Sequence, residues 1–195
     1  MALRWMVRQL LGNAGGAFSI HKFHGDLRSQ GVPVATDTLH GYLANLEDAF
    51  LVATVPIASE SERRRMANPR KAFRIDAGLI PVSDRSGRTN LGHALETTVA
   101  LELLRRGAEI AYVRTAENLE VDFLARSTDG REQLIQVCAD LDSPETRERE
   151  VRALLAAADD YRRAERHVVA LATEAVRGLP AEVRLHSAAA WLLET

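Results

Sequence analysis

The sequence holds one cysteine, Cys138, in 195 residues. A single thiol cannot close an internal disulfide, and structural zinc sites draw on several thiols or histidines. No stretch approaches the roughly 18 consecutive apolar residues that a membrane-spanning helix needs, so no membrane association is expected. The opening Met1-Ala2-Leu3-Arg4-Trp5 lacks a charged leader feeding an apolar core. The cytoplasm is therefore the expected compartment. No Gly-x-x-x-x-Gly-Lys-Ser/Thr run occurs in the sequence, which excludes ATP hydrolysis by a phosphate-binding loop within it.

What is present is globular material. The chain is 46% hydrophobic and 27% charged, enough for a core that buries roughly two-thirds of the unfolded surface. Its length suits one large or two small domains. The net charge of −2 is unevenly spread, with residues 1–90 at +4 and residues 91–195 at −6. Two domains with different partners are expected, and only the front half has a sign suited to phosphate.

In the front half, Leu3, Met6, Val7, Leu10 and Leu11 recur at helical spacing, and Gly12 with Gly15-Gly16 ends that helix. Ser19 reads as the N-cap of a second short helix through Phe23 and Leu27. Thr36 or Asp37 is expected to cap a third, with Leu39, Tyr42, Leu43 and Leu46 inward. Residues 49–55 and 71–75 read as strands, joined by a polar hairpin over residues 59–69. This order is that of a winged helix-turn-helix, expected over residues 1–82. The third helix would be the recognition helix, offering Thr36, Asp37, Thr38, His40 and Asn45. It has no Arg or Lys, the usual guanine readers. The wing supplies Arg63, Arg64, Arg65, Arg70, Lys71 and Arg74, with no acid among residues 63–74. Such a hairpin would neutralise several phosphates of duplex DNA with little sequence preference. His21, His24 and His40 lack the cysteine or carboxylate that would complete a metal set, so they are read as surface or cap residues.

In the back half, expected over residues 88–195 after a polar linker at residues 83–88, Asn90 would cap a helix over 91–106 that closes at Gly107. Glu96 shares an apolar stripe there with Val99, Ala100 and Leu103. Strands are expected over 109–114, 119–125 and 133–139, with turns at Glu117-Asn118 and Asp129-Gly130. A helix over 144–163 follows, with Glu145/Arg149 and Glu148/Arg152 as i,i+4 pairs. Strands over 167–172 and 181–185 and a helical turn over 188–193 complete the chain.

The α-β-β-β-α-β order, with an acid in its first helix and Asp122 on its second strand, resembles the restriction-endonuclease-like PD-(D/E)xK core. Four segments carry a more specific resemblance. They are Tyr42-Leu43 with Leu46-Glu47-Asp48-Ala49-Phe50-Leu51-Val52; Lys71-Ala72-Phe73-Arg74-Ile75-Asp76-Ala77-Gly78-Leu79; Glu96 with Leu101-Glu102-Leu103-Leu104-Arg105-Arg106-Gly107; and Glu120-Val121-Asp122-Phe123. In this order they are similar to the uncharacterised C-terminal region of a large group of prokaryotic AAA+ ATPases, over residues 3–175. The resemblance implies an α/β (α+β) chain, a winged helix followed by a nuclease-like domain. The ATPase module that precedes this region in the family is missing from this sequence, which leaves three readings open: a truncated relative, an excised piece, or a stand-alone adaptor that works with a separate ATPase chain.

A working core of that kind needs carboxylates to hold Mg²⁺ and a lysine beside the attacking water, read as acid-x-Lys on the third strand. Alternation places Gln136 and Cys138 on that face instead. Glu96, Asp122, Gln136 and Cys138 are accordingly expected to be a relic site, with no cofactor. The expected function is a non-catalytic nucleic-acid-binding or interaction protein. The alternative is a metal-dependent endonuclease that uses Mg²⁺ at Glu96 and Asp122 and borrows a cation such as Arg114 or Arg126.

Overall fold

The computed structural model describes residues 1–13, 15–76, 78, 91–174 and 176–194. The chain is a mixed α/β structure with two separate sheets, and it divides into two compact units, Met1–Thr89 and Asn90–Thr195. The linker expected at residues 83–88 and the Asn90 cap lie outside the described residues.

The first unit runs α1 (Ala2–Gly12), β1 (Ala17–Phe18), α2 (Ile20–Ser29), α3 (Thr36–Asp48), β2 (Val52–Val55), α4 (Glu62–Ala67) and β3 (Arg70–Arg74). Met6 and Leu10 lie one turn apart on α1 and are fully buried, each contributing about 1.5–3 kcal/mol. They meet Phe23, Leu27, Leu39, Leu43 and Leu46 from α2 and α3 in one core. Ser19 caps α2 as expected, its Oγ accepting from the Lys22 N–H at 3.3 Å. The turn into α3 is pinned by His24, whose Nε2 donates to the Val34 carbonyl at 3.0 Å.

Three features of this unit differ from expectation. The first helical residue of α3 is Thr36, its N-cap is Ala35, and no side chain caps it. Asp37 falls in the first turn, where its charge faces the positive end of the helix dipole. Residues 49–51 are not strand. Phe50 takes a left-handed φ of 52°, its N–H bonding to the Glu47 carbonyl while the Leu51 N–H reaches back to Leu46. That helix-closing turn delays the strand to Val52. The third difference is the polar hairpin, which contains α4. Ser61 caps this helix by accepting from the Arg64 N–H at 3.3 Å. Glu, Arg, Met and Ala are good helix formers, so a capping serine ahead of them outweighs their polarity.

The first sheet has the order β1-β3-β2, antiparallel throughout. Its central strand is β3, on which Lys71 (6% exposed) and Arg74 (1% exposed) are buried.

The second unit runs α5 (Leu91–Arg105), β4 (Glu109–Arg114), β5 (Glu120–Arg126), β6 (Glu132–Cys138), α6 (Pro144–Ala158), β7 (Glu165–Ala170), β8 (Val183–Ser187) and α7 (Ala188–Leu193). Gly107 leaves α5 with φ 73°, a conformation that suits glycine. Its sheet has the order β4-β5-β6-β7-β8. The first two pairings are antiparallel and the last two parallel. Leu134 and Ile135 are consecutive and both fully buried, so β6 is covered on both faces. Helix α6 begins at the Ser143 cap with Pro144 in its first turn. It stops at Ala158 rather than residue 163, because Asp159 and Asp160 place negative charge at the negative end of the dipole.

Helix α7 is tied to α5 by one polar relay. Glu102 accepts from Arg105 Nε and Arg106 Nε, each at 2.7 Å. Arg106 Nη2 donates to the Trp191 carbonyl at 2.6 Å, and its guanidinium lies 4.3 Å from the Trp191 ring centre. The hydrogen bond from Arg105, followed by that from Arg106, holds the Glu102 carboxyl at about 2 against an ordinary 4.5. A lowered carboxyl stabilises the fold above pH 4.5, and that stability is lost as pH falls toward 2. Urea unfolding of the parent and of Glu102→Gln checks this. The gap between them should be widest at pH 6 and shrink steadily below pH 4.5.

Candidate functional site

The singular feature of the second sheet is where β5 and β6 part. Their ladder pairs Phe123 with Ile135 as its last rung. The next two residues, Asp122 and Gln136, stand opposite each other where backbone pairing has stopped, and the backbone N–H groups need other acceptors. Side chains of the facing strand provide them. Asp122 Oδ2 accepts from the Val137 N–H at 2.9 Å, and Gln136 Oε1 accepts from the Asp122 N–H at 3.4 Å.

Gln136 is 6% exposed, and its other amide end is also engaged. Gln136 Nε2 donates to Glu150 Oε2 on α6 at 2.5 Å. Glu150, 8% exposed, is held at its second oxygen by Arg149, with Nε at 3.1 Å and Nη2 at 2.5 Å. A buried carboxylate is tolerated only when so compensated. Asp122, Gln136, Glu150 and Arg149 thus form one continuous bridge from β5 across β6 to α6.

Cys138 lies two residues along β6 but turns to its own loop, where Sγ donates to the Asp140 carbonyl at 3.0 Å. Burial pushes its thiol up from the ordinary value, so thiolate is disfavoured. Glu96 is half-buried on α5, which packs against β4, β5 and β6. Of the two cations named for the alternative endonuclease, Arg114 pairs with Glu120 at 3.0 Å and Arg126 with Glu132 at 2.7 Å. The expected Glu145–Arg149 pair gives way to Arg149–Glu150.

Sequence reading missed Glu150 and gave Arg149 a different partner. The signal was present, because Ala153, Leu154 and Ala157 follow Glu150 at helical spacing and are buried with it. That is the same acid-on-an-apolar-stripe pattern that singled out Glu96.

The residues at this position do not fit a Mg²⁺ centre. A hard cation needs oxygen ligands facing it, whereas here an amide N–H points at Glu150 and Asp122 Oδ2 is taken by a backbone donor. Among the described residues, no three His, Cys, Asp or Glu side chains gather as a metal centre would.

In the first unit, the β1–α2 junction, α3, the end of α4 and the start of β3 enclose a cleft of about 560 Å³, whose walls include His21, Thr36, His40, Glu47, Met66 and Arg70. Arg63 and Arg64 are exposed on α4, and Arg65 is half-buried beside Glu62, 3.6 Å away. Thr38 is exposed on α3. Arg70 Nη1 donates to Thr54 Oγ1 at 3.4 Å, and Thr54 in turn donates to Glu47 on α3 at 2.5 Å. Two expected phosphate contacts are corrected: Lys71 and Arg74 sit on the central strand with their side chains inside the fold, which removes them from any surface contact.

Residues 91–187, most of the second unit, match the model of a family described as a domain of unknown function, DUF4143, which is found in AAA-ATPase-associated proteins. An uncharacterized protein of Haemophilus influenzae is 29% identical over 161 residues, covering 83% of this chain. The chain spans 39% of that relative's length. No solved structure matches.

The bridge makes a direct prediction. Gln136→Glu places a second carboxylate against Glu150 in a buried position, where both cannot stay ionised. The variant should lose at least about 2 kcal/mol at pH 8, and less at pH 5, where one of the two takes up a proton. Adding Cys138→Lys should recover part of the loss by placing a cation on the same face. Chemical denaturation at the two pH values measures both.

Proposed function

We propose that the protein is a non-catalytic nucleic-acid-binding protein, in which a winged helix-turn-helix unit holds duplex DNA and a unit of nuclease ancestry serves as a scaffold. The first unit's order α1-β1-α2-α3-β2-α4-β3, with its three strands in one antiparallel sheet, supports the winged-helix reading. The second unit's α-β-β-β-α-β order supports the restriction-endonuclease-like reading. The loss of acid-x-Lys at Gln136 and Cys138 is what makes it a scaffold. The match to a domain found in AAA-ATPase-associated proteins supports an ATPase as the partner. ATP hydrolysis would come from residues outside this sequence, which has no phosphate-binding loop.

The observation that carries the DNA contact is α4. Three consecutive arginines lie on a short surface helix whose last residues, Met66 and Ala67, line the cleft that also presents Thr36, His40 and Glu47. Arginine binds phosphate with several donors in a fixed plane. Threonine and histidine offer polar contacts to base edges or sugar. With no Arg or Lys on α3, most of the binding free energy is phosphate attraction, so affinity depends steeply on salt and weakly on sequence.

Replacing Arg63, Arg64 and Arg65 with Ala should weaken binding to a duplex. It should also flatten the plot of log affinity against log salt by about one unit for each phosphate no longer neutralised. Thermal stability should change little, because these side chains lie at the surface. Fluorescence anisotropy at several salt concentrations measures the first two, and unchanged affinity and slope would move the DNA-binding surface away from α4.

A further inference from the structure

The strands β7 and β8 carry a polar cluster that the proposed function does not use. His167 on β7 is 3% exposed, and its Nδ1 lies 2.9 Å from Nε2 of His186 on β8. The two rings stack with centres 5.1 Å apart. His167 Nε2 faces Gln133 Nε2 on β6 and Glu165 Oε2 on β7, both at 3.3 Å. Arg184 on β8 holds the same Glu165 oxygen at 2.9 Å. Glu194, just past α7, lies 3.8 Å from His186 Nδ1. Before Glu194, α7 itself brings only alanine, tryptophan and leucine side chains.

One arrangement of protons puts a hydrogen into each of these contacts except that between His167 Nε2 and Glu165 Oε2, where two acceptors face each other. The Gln133 amide donates to His167 Nε2, His167 Nδ1–H donates to His186 Nε2, and His186 Nδ1–H turns toward Glu194. Both rings are then neutral. A proton added to His186 Nε2 meets the His167 N–H head-on and ends the bond. A proton added to His167 Nε2 displaces the Gln133 donor and charges a buried ring, with Arg184 close by and Glu165 giving partial relief. Two stacked imidazolium rings in contact repel, so the folded pair resists a charge state that both histidines reach freely when unfolded.

The location gives this pair leverage. β8 is an edge strand, bonded to β7 alone within the sheet. It runs directly into α7, since Ser187 ends the strand and caps the helix. We propose that the His167–His186 pair is a pH-sensitive latch that fastens the β8–α7 segment to the sheet at neutral pH and loosens it on acidification. Burial, followed by the facing His186, holds His167 below its ordinary 6.5. A lowered histidine leaves stability full above pH 6.5, and stability declines as pH falls below that value. The Glu102–Arg106–Trp191 relay holds the far end of the same segment, and Glu102 stays ionised well below that range.

Hydrogen exchange of the full chain at pH 7.5 and 5.5, corrected for intrinsic exchange rates, tests the latch. β8 and α7 amides should lose at least about tenfold protection at the lower pH, while β5 amides keep theirs. In His186→Gln, whose side chain can accept from His167 but not take up a proton, that loss should fall below about threefold. Arg106→Ala should loosen α7 about equally at both pH values. Ring ¹⁵N spectra of the parent decide the matter even if a variant fails to fold. The latch requires His167 as its Nδ1–H form at pH 7.5 and coupled titration of the two rings. Equal β8 protection at both pH values, or two histidines titrating independently near 6.5, would overturn it.

Discussion

The second unit is organised around a place where two strands stop pairing. Past the Phe123–Ile135 rung, backbone donors of β5 and β6 would be left without acceptors inside a covered sheet. The cost of a buried donor left unmet is about 1–3 kcal/mol. Asp122 and Gln136 reach across the gap and meet it. Once Gln136 has turned its oxygen toward Asp122, its amide N–H must find an acceptor on the other side. Glu150 supplies one, and Arg149 then neutralises Glu150. Each polar group in the bridge therefore dictates the next, and α6 is held to the sheet by the result.

This chain of dependence bears on chemistry. In an enzyme of the fold proposed for this unit, parted strands are where a metal would sit between carboxylates. Here the same opening is filled by hydrogen bonds that a metal would have to break. An amide in the middle position removes one negative charge and adds a donor, so the site holds itself together with no cation. The proposed separation of roles follows. In that proposal the second unit serves as a scaffold, and recognition falls to the arginines and polar α3 side chains of the first.

Much of the secondary structure was legible because local signals decide it. β4 at Glu109–Arg114 and α7 at Ala188–Leu193 begin and end where apolar periodicity and turn residues place them. α4 was misread because its residues are polar, although Ser61 ahead of Glu62 is an ordinary helix start. Lys71 and Arg74 were misread for a deeper reason. Positions 71 and 74 alternate onto opposite faces of β3, and nothing within residues 70–74 says that both faces will be covered. The candidate site was half legible for the same reason. Alternation along β6 put Gln136 and Cys138 on one face. That Cys138 would turn to Asp140, and that Glu150 would close the bridge from a helix 14 residues away, are matters of tertiary packing.

The central claim is that the opening between β5 and β6 is a structural bridge and not a reaction centre. Incubating the full chain with supercoiled plasmid in Mg²⁺ or Mn²⁺, beside an Asp122→Ala control, tests it most directly. The account predicts that the plasmid stays supercoiled with either metal. Nicking by the parent that disappears in the control would contradict it.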